Sequence, residues 1–281
     1  MSRKLVVGLL APAAPLAILG ALALASSPAA ASGTKGLPVL KIAMNGKSIT
    51  VSGSTVSGAV EVQSTVTKEK AGEPILVRLN KGVTMKQFLK VFKSASKDPN
   101  VVQLVGAIAF DADAYPGKTD VQTVLAPDHY VAIDIAGKGT PRLTTFTVTK
   151  ASSPAKLPKA AVTATAIDFG FTGPTTFKDG TLVRGYNDGW LVHMNDFQGV
   201  KNKADGEKVV AALRSGKGFG KLKGDLTSST FSLFEPASHG ATQQYKLDVK
   251  PGYYVEACFM KTEDGVLHTR LGMERLIKVV K

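Results

Sequence analysis

The sequence predicts an all-β protein: two tandem Greek-key β-sandwich domains, each with a helical insertion. Three observations predict it. Apolar and polar residues alternate through short runs bounded by Gly, Pro, Asn or Asp, the period of half-buried strands. The order of those runs repeats once along the chain. Each copy also holds one stretch whose apolar residues recur at helical spacing.

The first residues carry an export pattern. Ser2-Arg3-Lys4 precedes an uncharged apolar run over 5–24, and Ala29-Ala30-Ala31 supplies small residues for cleavage, so residues 1–31 are read as a signal peptide. The run is long enough to span a bilayer, which makes an uncleaved anchor the rival expectation. Pro12, Pro15 and the Ala/Ser/Pro-rich exit favour cleavage. No second apolar span follows, so no transmembrane segment is expected after cleavage.

The N-terminal domain is expected over 36–150. Strands at 39–44 and 49–51 meet at an Asn45-Gly46 turn, and further strands follow at 60–63 and 75–79. Met85, Phe88, Leu89 and Phe92 share one face of a helix over 85–94, expected to cover the end of the sandwich. Strands return at 108–110, 121–125, 130–135 and 143–148. Residues 151–160, rich in Pro, Ala and Lys, read as a linker. The C-terminal domain, 161–281, restarts the same order: strands at 162–169, 181–184 and 191–194, a helix at 207–213, then strands at 230–234, 245–249, 253–259 and 276–280.

The repeat can be checked by spacing. Phe110 and Pro127 are as far apart as Phe234 and Pro251, and Asp128-His129-Tyr130-Val131 then matches Gly252-Tyr253-Tyr254-Val255. Phe88-Leu89 aligns with Val209-Val210 on the helices. A period of about 120 residues is a whole domain and not a solenoid unit.

Charge bounds the partners. Lys and Arg number 35 against 22 Asp and Glu, a net of +13, and about +11 without residues 1–31. The lysines are scattered singly. That suits a soluble basic surface facing an acidic partner, an anionic envelope component or a membrane face. No basic helix or aromatic-rich groove is visible, so nucleic acid is not an expected partner.

Cys258 is the one cysteine, so no internal disulfide is available, and in an oxidising compartment the thiol needs burial or ligation. His268 follows ten residues later and Met273 five after that. Cys, His and Met on one strand–loop–strand are three of the four ligands of a blue-copper site, and His193 is the candidate for the fourth. The same residues also read as plain structure: Cys258 and Met273 in the core, His193 on a strand, His268 solvated in an Asp-Gly turn. The repeat alignment puts Asp134 at the position of Cys258 and Gly72 close to that of His193. Domain one therefore lacks the ligands, and His129 is read as a surface residue.

Other chemistry is absent. His129, His193, His239 and His268 are the only histidines and form no His-x-His pair, which excludes a multicopper centre. No Gly-x-Ser-x-Gly, His-Glu-x-x-His or Cys-x-x-Cys occurs, so the chain is not expected to be an enzyme. Asp111 and Asp113 are read as part of a solvated loop, Trp190 as packed in the core, and residues 216–221 as a flexible helix exit.

The motifs around Cys258 resemble a family. Asp168-Phe169-Gly170-Phe171-Thr172-Gly173-Pro174, Asn187-Asp188-Gly189, Pro251-Gly252-Tyr253-Tyr254, Cys258-Phe259, Asp264-Gly265-Val266-Leu267-His268 and Gly272-Met273 resemble the secreted bacterial cupredoxin-like domains related to plastocyanin and azurin. Residues 161–281 carry the resemblance; the first copy follows it only in outline. It implies one type 1 copper site, with Cys258 as thiolate, His193 and His268 as imidazole ligands and Met273 as weak axial ligand. Single-electron transfer or copper holding outside the cytoplasm, with an acidic redox partner, would follow. The alternative is a metal-free secreted or envelope sandwich module for binding or scaffolding.

Overall fold

A computed structural model describes residues 36–95, 98–136, 141–216 and 222–281. The export signal expected at 1–31 and nearly all of the Gly/Lys-rich stretch lie outside the described residues.

The first half supplies β1 (Val39–Met44), β2 (Ile49–Gly53), β3 (Gly58–Val66), β4 (Pro74–Leu79), α1 (Met85–Ser94), β5 (Gly106–Asp111), β6 (Gly117–Leu125), β7 (Asp128–Asp134) and β8 (Arg142–Val148). The second supplies β9 (Val162–Ile167), β10 (Gly170–Thr172), β11 (Thr176–Lys178), β12 (Leu182–Asn187), β13 (His193–Val200), α2 (Lys203–Arg214), β14 (Leu226–Ala237), β15 (Thr242–Lys246), β16 (Gly252–Ala257) and β17 (Glu274–Val280).

Each half folds as a sandwich with the same wiring. In the first, β2-β1-β3-β6 faces β5-β4-β7-β8; in the second, β10-β9-β12-β15 faces β14-β13-β16-β17, with β11 added at one edge. The parallel contact of β1 with β3 recurs between β9 and β12. All other pairings shared by the two copies are antiparallel. The chain changes sheet between β3 and β4 and again on either side of β6, which gives the Greek-key order. This is the fold class the sequence predicts, and the architecture that the resemblance to cupredoxins implies.

Side-chain alternation explains the packing. Leu76, Tyr130 and Ala132 point between the sheets of the first sandwich and join Leu40, Ile42 and Val62. Their neighbours Ile75, Val77, Val131 and Ile133 point the other way, into the cluster that holds Phe88 and Phe92 of α1. In the second sandwich Val209 and Leu213 of α2 pack on Val200, Val255 and Ala257. Both helices thus cover the outer face of a sheet, whereas the sequence suggested that the first would cover the end of a sandwich. Local chemistry starts each helix: Thr84 and Gln87 form a reciprocal capping box, and the Asn202 side chain accepts from the Asp205 N–H at 3.0 Å.

The sandwiches are fused. β6 and β15, equivalent strands of the two copies, pair antiparallel at Gln122–Gln244 and Thr123–Gln243, so one sheet of eight strands crosses both. Residues 151–160 form no regular element but are not a loose tether. Ala59 N–H donates to the Ala155 carbonyl at 2.9 Å, and Arg184 Nη2 to the Pro158 carbonyl at 2.9 Å.

Four further expectations need correction. The strand expected at 162–169 stops at Ile167, because Phe169 takes φ +64° and turns the chain back into β10. The strand expected at 191–194 starts at His193 and runs to Val200. Trp190 is 74% exposed and not in the core. Asp111 is fully buried at the end of β5 and not in a solvated loop. Among the described residues no helix is long and apolar enough to cross a membrane.

Candidate metal centre

Two strand ends and one loop bring the expected donors together. His193 is the first residue of β13, Cys258 follows the last residue of β16, and His268 opens a 3-10 turn, His268–Leu271, in the loop to β17. Backbone bonds fix that loop. His268 N–H donates to the Met260 carbonyl at 2.8 Å, Met273 N–H to the His268 carbonyl at 3.1 Å, and Cys258 N–H to the Met273 carbonyl at 3.1 Å. Gly272, at φ +115°, makes the left-handed exit from the turn that a side chain would resist.

The donor atoms face one another. His193 Nδ1 lies 3.1 Å from His268 Nδ1, and Cys258 Sγ lies 3.4 Å from His268 Nδ1 and 3.7 Å from His193 Nδ1. All three residues, and Met273 beside them, are fully buried, so water is excluded from the donors. The circle through the three donor atoms has a radius of about 2.0 Å, which is metal–nitrogen bond length and slightly under metal–thiolate length. Among the described residues no other group brings three His, Cys, Asp or Glu donor atoms within 4.8 Å of one another.

Surrounding groups set tautomers and charge. His193 Nε2 lies 2.9 Å from Asp168 Oδ1. A carboxylate only accepts, so Nε2 carries the proton and Nδ1 turns its lone pair inward. Burial pushes the Asp168 carboxyl upward, but the N–H groups of Trp190 and Leu191 and the His193 ring outweigh it and hold it below its ordinary value. Burial lowers His193 against the pull of Asp168. Burial and the neighbouring His193 push His268 down to about 3. Burial pushes the Cys258 thiol up to about 12, with the Met194 and Met260 N–H groups pulling the other way. Near neutral pH the unliganded site is therefore a thiol and two neutral imidazoles, and a thiophilic cation binds by displacing the thiol proton. His268 Nε2 is buried with no hydrogen-bond partner. These residues fit a copper ion: two neutral imidazole nitrogens and a sulfur, dry and held by a sheet, are the donor set copper takes in both oxidation states.

The sequence brought His193, Cys258, His268 and Met273 into consideration, and the fold brings the first three into contact with Met273 buried beside them. It gave no role to four other residues. Asp168 orients His193. Gly189 lies under that pair, where an added Cβ would stand 2.6 Å from both Asp168 Oδ1 and His193 Nε2. The Phe169 ring meets His268 edge-on at 5.5 Å and closes its outer side. Asn100, from the first sandwich, accepts from the Val192 N–H at 2.7 Å, immediately before His193. Asp168, Phe169 and Gly189 stood in the recognised motifs; Asn100 left no signal in sequence.

No family model and no curated protein matches this chain. Solved structures similar to it include Na-dithionite-reduced auracyanin from the photosynthetic bacterium Roseiflexus castenholzii, 15% identical over 44% of this chain and 100% of its own, with a TM-score of 0.26. McoA multicopper oxidase from the hyperthermophile Aquifex aeolicus is 11% identical over 86% of this chain and 65% of its own, with a TM-score of 0.26. The Cu-containing nitrite reductase of Thermus scotoductus SA-01 is 11% identical over 88% of this chain and 69% of its own, with a TM-score of 0.25. At such identities and scores these likenesses carry no inference about what this chain does, and its architecture stands on its own strand pairing.

Proposed function

We propose that the chain is an exported copper protein with one type 1 site in its second sandwich, serving single-electron transfer or copper holding. His193 and His268 would supply imidazole nitrogens, Cys258 the thiolate and Met273 a weak axial thioether. The observation that carries the reading is the buried triangle of two Nδ1 atoms and one Sγ. When bound, copper supplies one-electron chemistry between Cu(I) and Cu(II). The chain's own part is to hold the donors still. Two come from paired strands, the loop donor is tied to Met260 and Met273 by backbone bonds, and Asp168 holds the His193 ring by its outer nitrogen. Export is proposed from the leader pattern, and an acidic redox partner from the basic charge.

The test is Cu(II) added to the purified mature protein. An intense visible thiolate-to-copper band is expected, with none in Cys258→Ser. A correctly folded, reduced wild type that gives no band would leave the metal-free module as the reading.

A further inference from the structure

The seam between the sandwiches holds a second concentration of ligand-type groups, unrelated to the thiolate. β5 and β14 are equivalent edge strands of the two copies, and Ile108 of β5 meets Ser238, the residue that follows β14. The Ser238 N–H donates to the Ile108 carbonyl at 3.0 Å, and the Ile108 N–H to Ser238 Oγ at 2.9 Å. Gln243 Nε2 reaches both the Asp111 carbonyl at 2.9 Å and the Leu233 carbonyl at 3.4 Å, so Asp111 lies against the stretch of β14 that holds Glu235. Three residues on from Ile108 is Asp111, three back from Ser238 is Glu235, and the Glu235 charge acts on Asp111. They are also equivalent positions of the repeat, each following the phenylalanine of Phe110 or Phe234.

Asp111 is the telling residue. Its backbone is fully satisfied by the Gln243 side chain, which accepts from the Asp111 N–H at 2.8 Å and donates to its carbonyl at 2.9 Å. Its carboxylate is fully buried, and neither oxygen has a hydrogen-bond partner. Phe110 points into the first sandwich core, so Asp111 points the opposite way, toward the seam. Half-buried Glu73 and Asp196 and exposed Asp113 act on the Asp111 charge from around it, Asp113 accepting from the Tyr115 hydroxyl at 3.2 Å and Asp196 from Ser232 Oγ at 2.6 Å. Among the described residues none of these five carboxylates pairs with Lys, Arg or His, although the chain carries a net charge of +13. Burial, then mutual repulsion, raises Glu73, Asp111 and Glu235 well above the carboxylate range, the state of groups lacking a counter-charge.

We propose that Asp111 and Glu235, with Glu73, Asp113 and Asp196 around them, form a site for a hard divalent cation of the calcium class that locks the two sandwiches together. All-oxygen donors exclude the soft copper site's chemistry, and Ca2+ accepts many carboxylate oxygens in flexible geometry, whereas Mg2+ demands a tight octahedron. The carboxylates are less tightly gathered than the thiolate–imidazole group, and the flexible side chains of Glu73 and Glu235 supply the reach.

The experiment is calorimetric titration of chelator-treated mature protein with CaCl2, beside a melting curve. One Ca2+ per chain and a raised melting temperature are expected, with MgCl2 giving a smaller effect. Asp111→Asn and Glu235→Gln should each weaken Ca2+ binding at least tenfold. If Asp111→Asn does not fold, Glu235→Gln carries the test alone. Cys258→Ser should bind Ca2+ like wild type, so failure of the copper reading and of this one are told apart. No heat and no melting shift up to about 10 mM Ca2+, beyond the weak end of calcium modules, would overturn the proposal. So would binding untouched by Glu235→Gln. A third contrary result is Asp111→Asn melting higher than wild type while Ca2+ shifts neither, which would make protons the only neutralising species.

Discussion

The two sandwiches share one wiring diagram and finish the same position in opposite ways. Pro74 faces Asp134 across β4 and β7, as Asn195 faces Cys258 across β13 and β16 by continuation of the register. In the first sandwich that position is self-sufficient. Asp134 accepts from the Glu73 and Ala136 N–H groups at 3.1 Å each and pairs with Arg142 at 2.5 Å, while Arg142 also reaches Glu69 at 2.8 Å. In the second the same strand end holds a thiol, two facing imidazoles and an unpartnered His268 Nε2. At the counterpart of His193 stands Gly72, where an added Cβ would lie 2.7 Å from Met44 Sδ. Metal-ligating side chains have no room there. One copy closes on itself with an ion pair, and the other gathers a thiol and two imidazoles at the same place.

The largest effect should come from breaking the closed copy. Asp134→Ala leaves Arg142 with Glu69 and the Ala136 carbonyl and strands two backbone N–H groups. Removing one partner of a buried pair costs about 3 kcal/mol or more, which urea unfolding at pH 7 would measure. Cys258→Ser in metal-free protein should cost clearly less, since it removes no ion pair. Equal costs would mean that the second copy is as self-contained as the first. Saturating Cu(II) at about a hundredfold over Kd should then stabilise wild type by about 2.7 kcal/mol and leave Cys258→Ser unmoved.

An intermediate effect tests the outer support. Asp168→Asn keeps an acceptor for His193 Nε2 but loses the charge that the Trp190 and Leu191 N–H groups hold in place. Loss of such a partner weakens metal affinity about 10–100-fold, readable by competition with a chelator. The thiolate band should persist at full loading, because no ligand is removed. An affinity unchanged within twofold would show that Asp168 only packs.

Much of this was legible because it is periodic or locally spaced. The stripe of Phe88 and Phe92 marked α1 to the residue, and Cys258, His268 and Met273 lie on one loop whose spacing is visible without a fold. Contacts made across the chain leave no such trace. Asn100 buttresses a strand start 92 residues away, and the Asp111 backbone is held by the Gln243 side chain 132 residues away. Strands β10 and β11, three residues each, are too short to show alternation. Trp190 was misplaced for another reason. A large aromatic beside a ligand strand reads as core, yet the fold uses its backbone N–H and leaves its ring outside, stacked on His239 at 5.0 Å.

That division of labour at Trp190 gives the smallest and most local prediction. The ring is 74% exposed, so Trp190→Ala should change unfolding free energy by less than about 0.5 kcal/mol. Copper affinity should hold too, because alanine keeps the N–H that donates to Asp168. The same residue is the protein's one tryptophan, and the first sandwich has none. Its fluorescence therefore reports the second copy alone. Cu(II) should quench it in wild type, in step with growth of the visible band, and leave it bright in Cys258→Ser. Equal quenching in both would place the ion elsewhere, with His239 under the indole as the first residue to substitute.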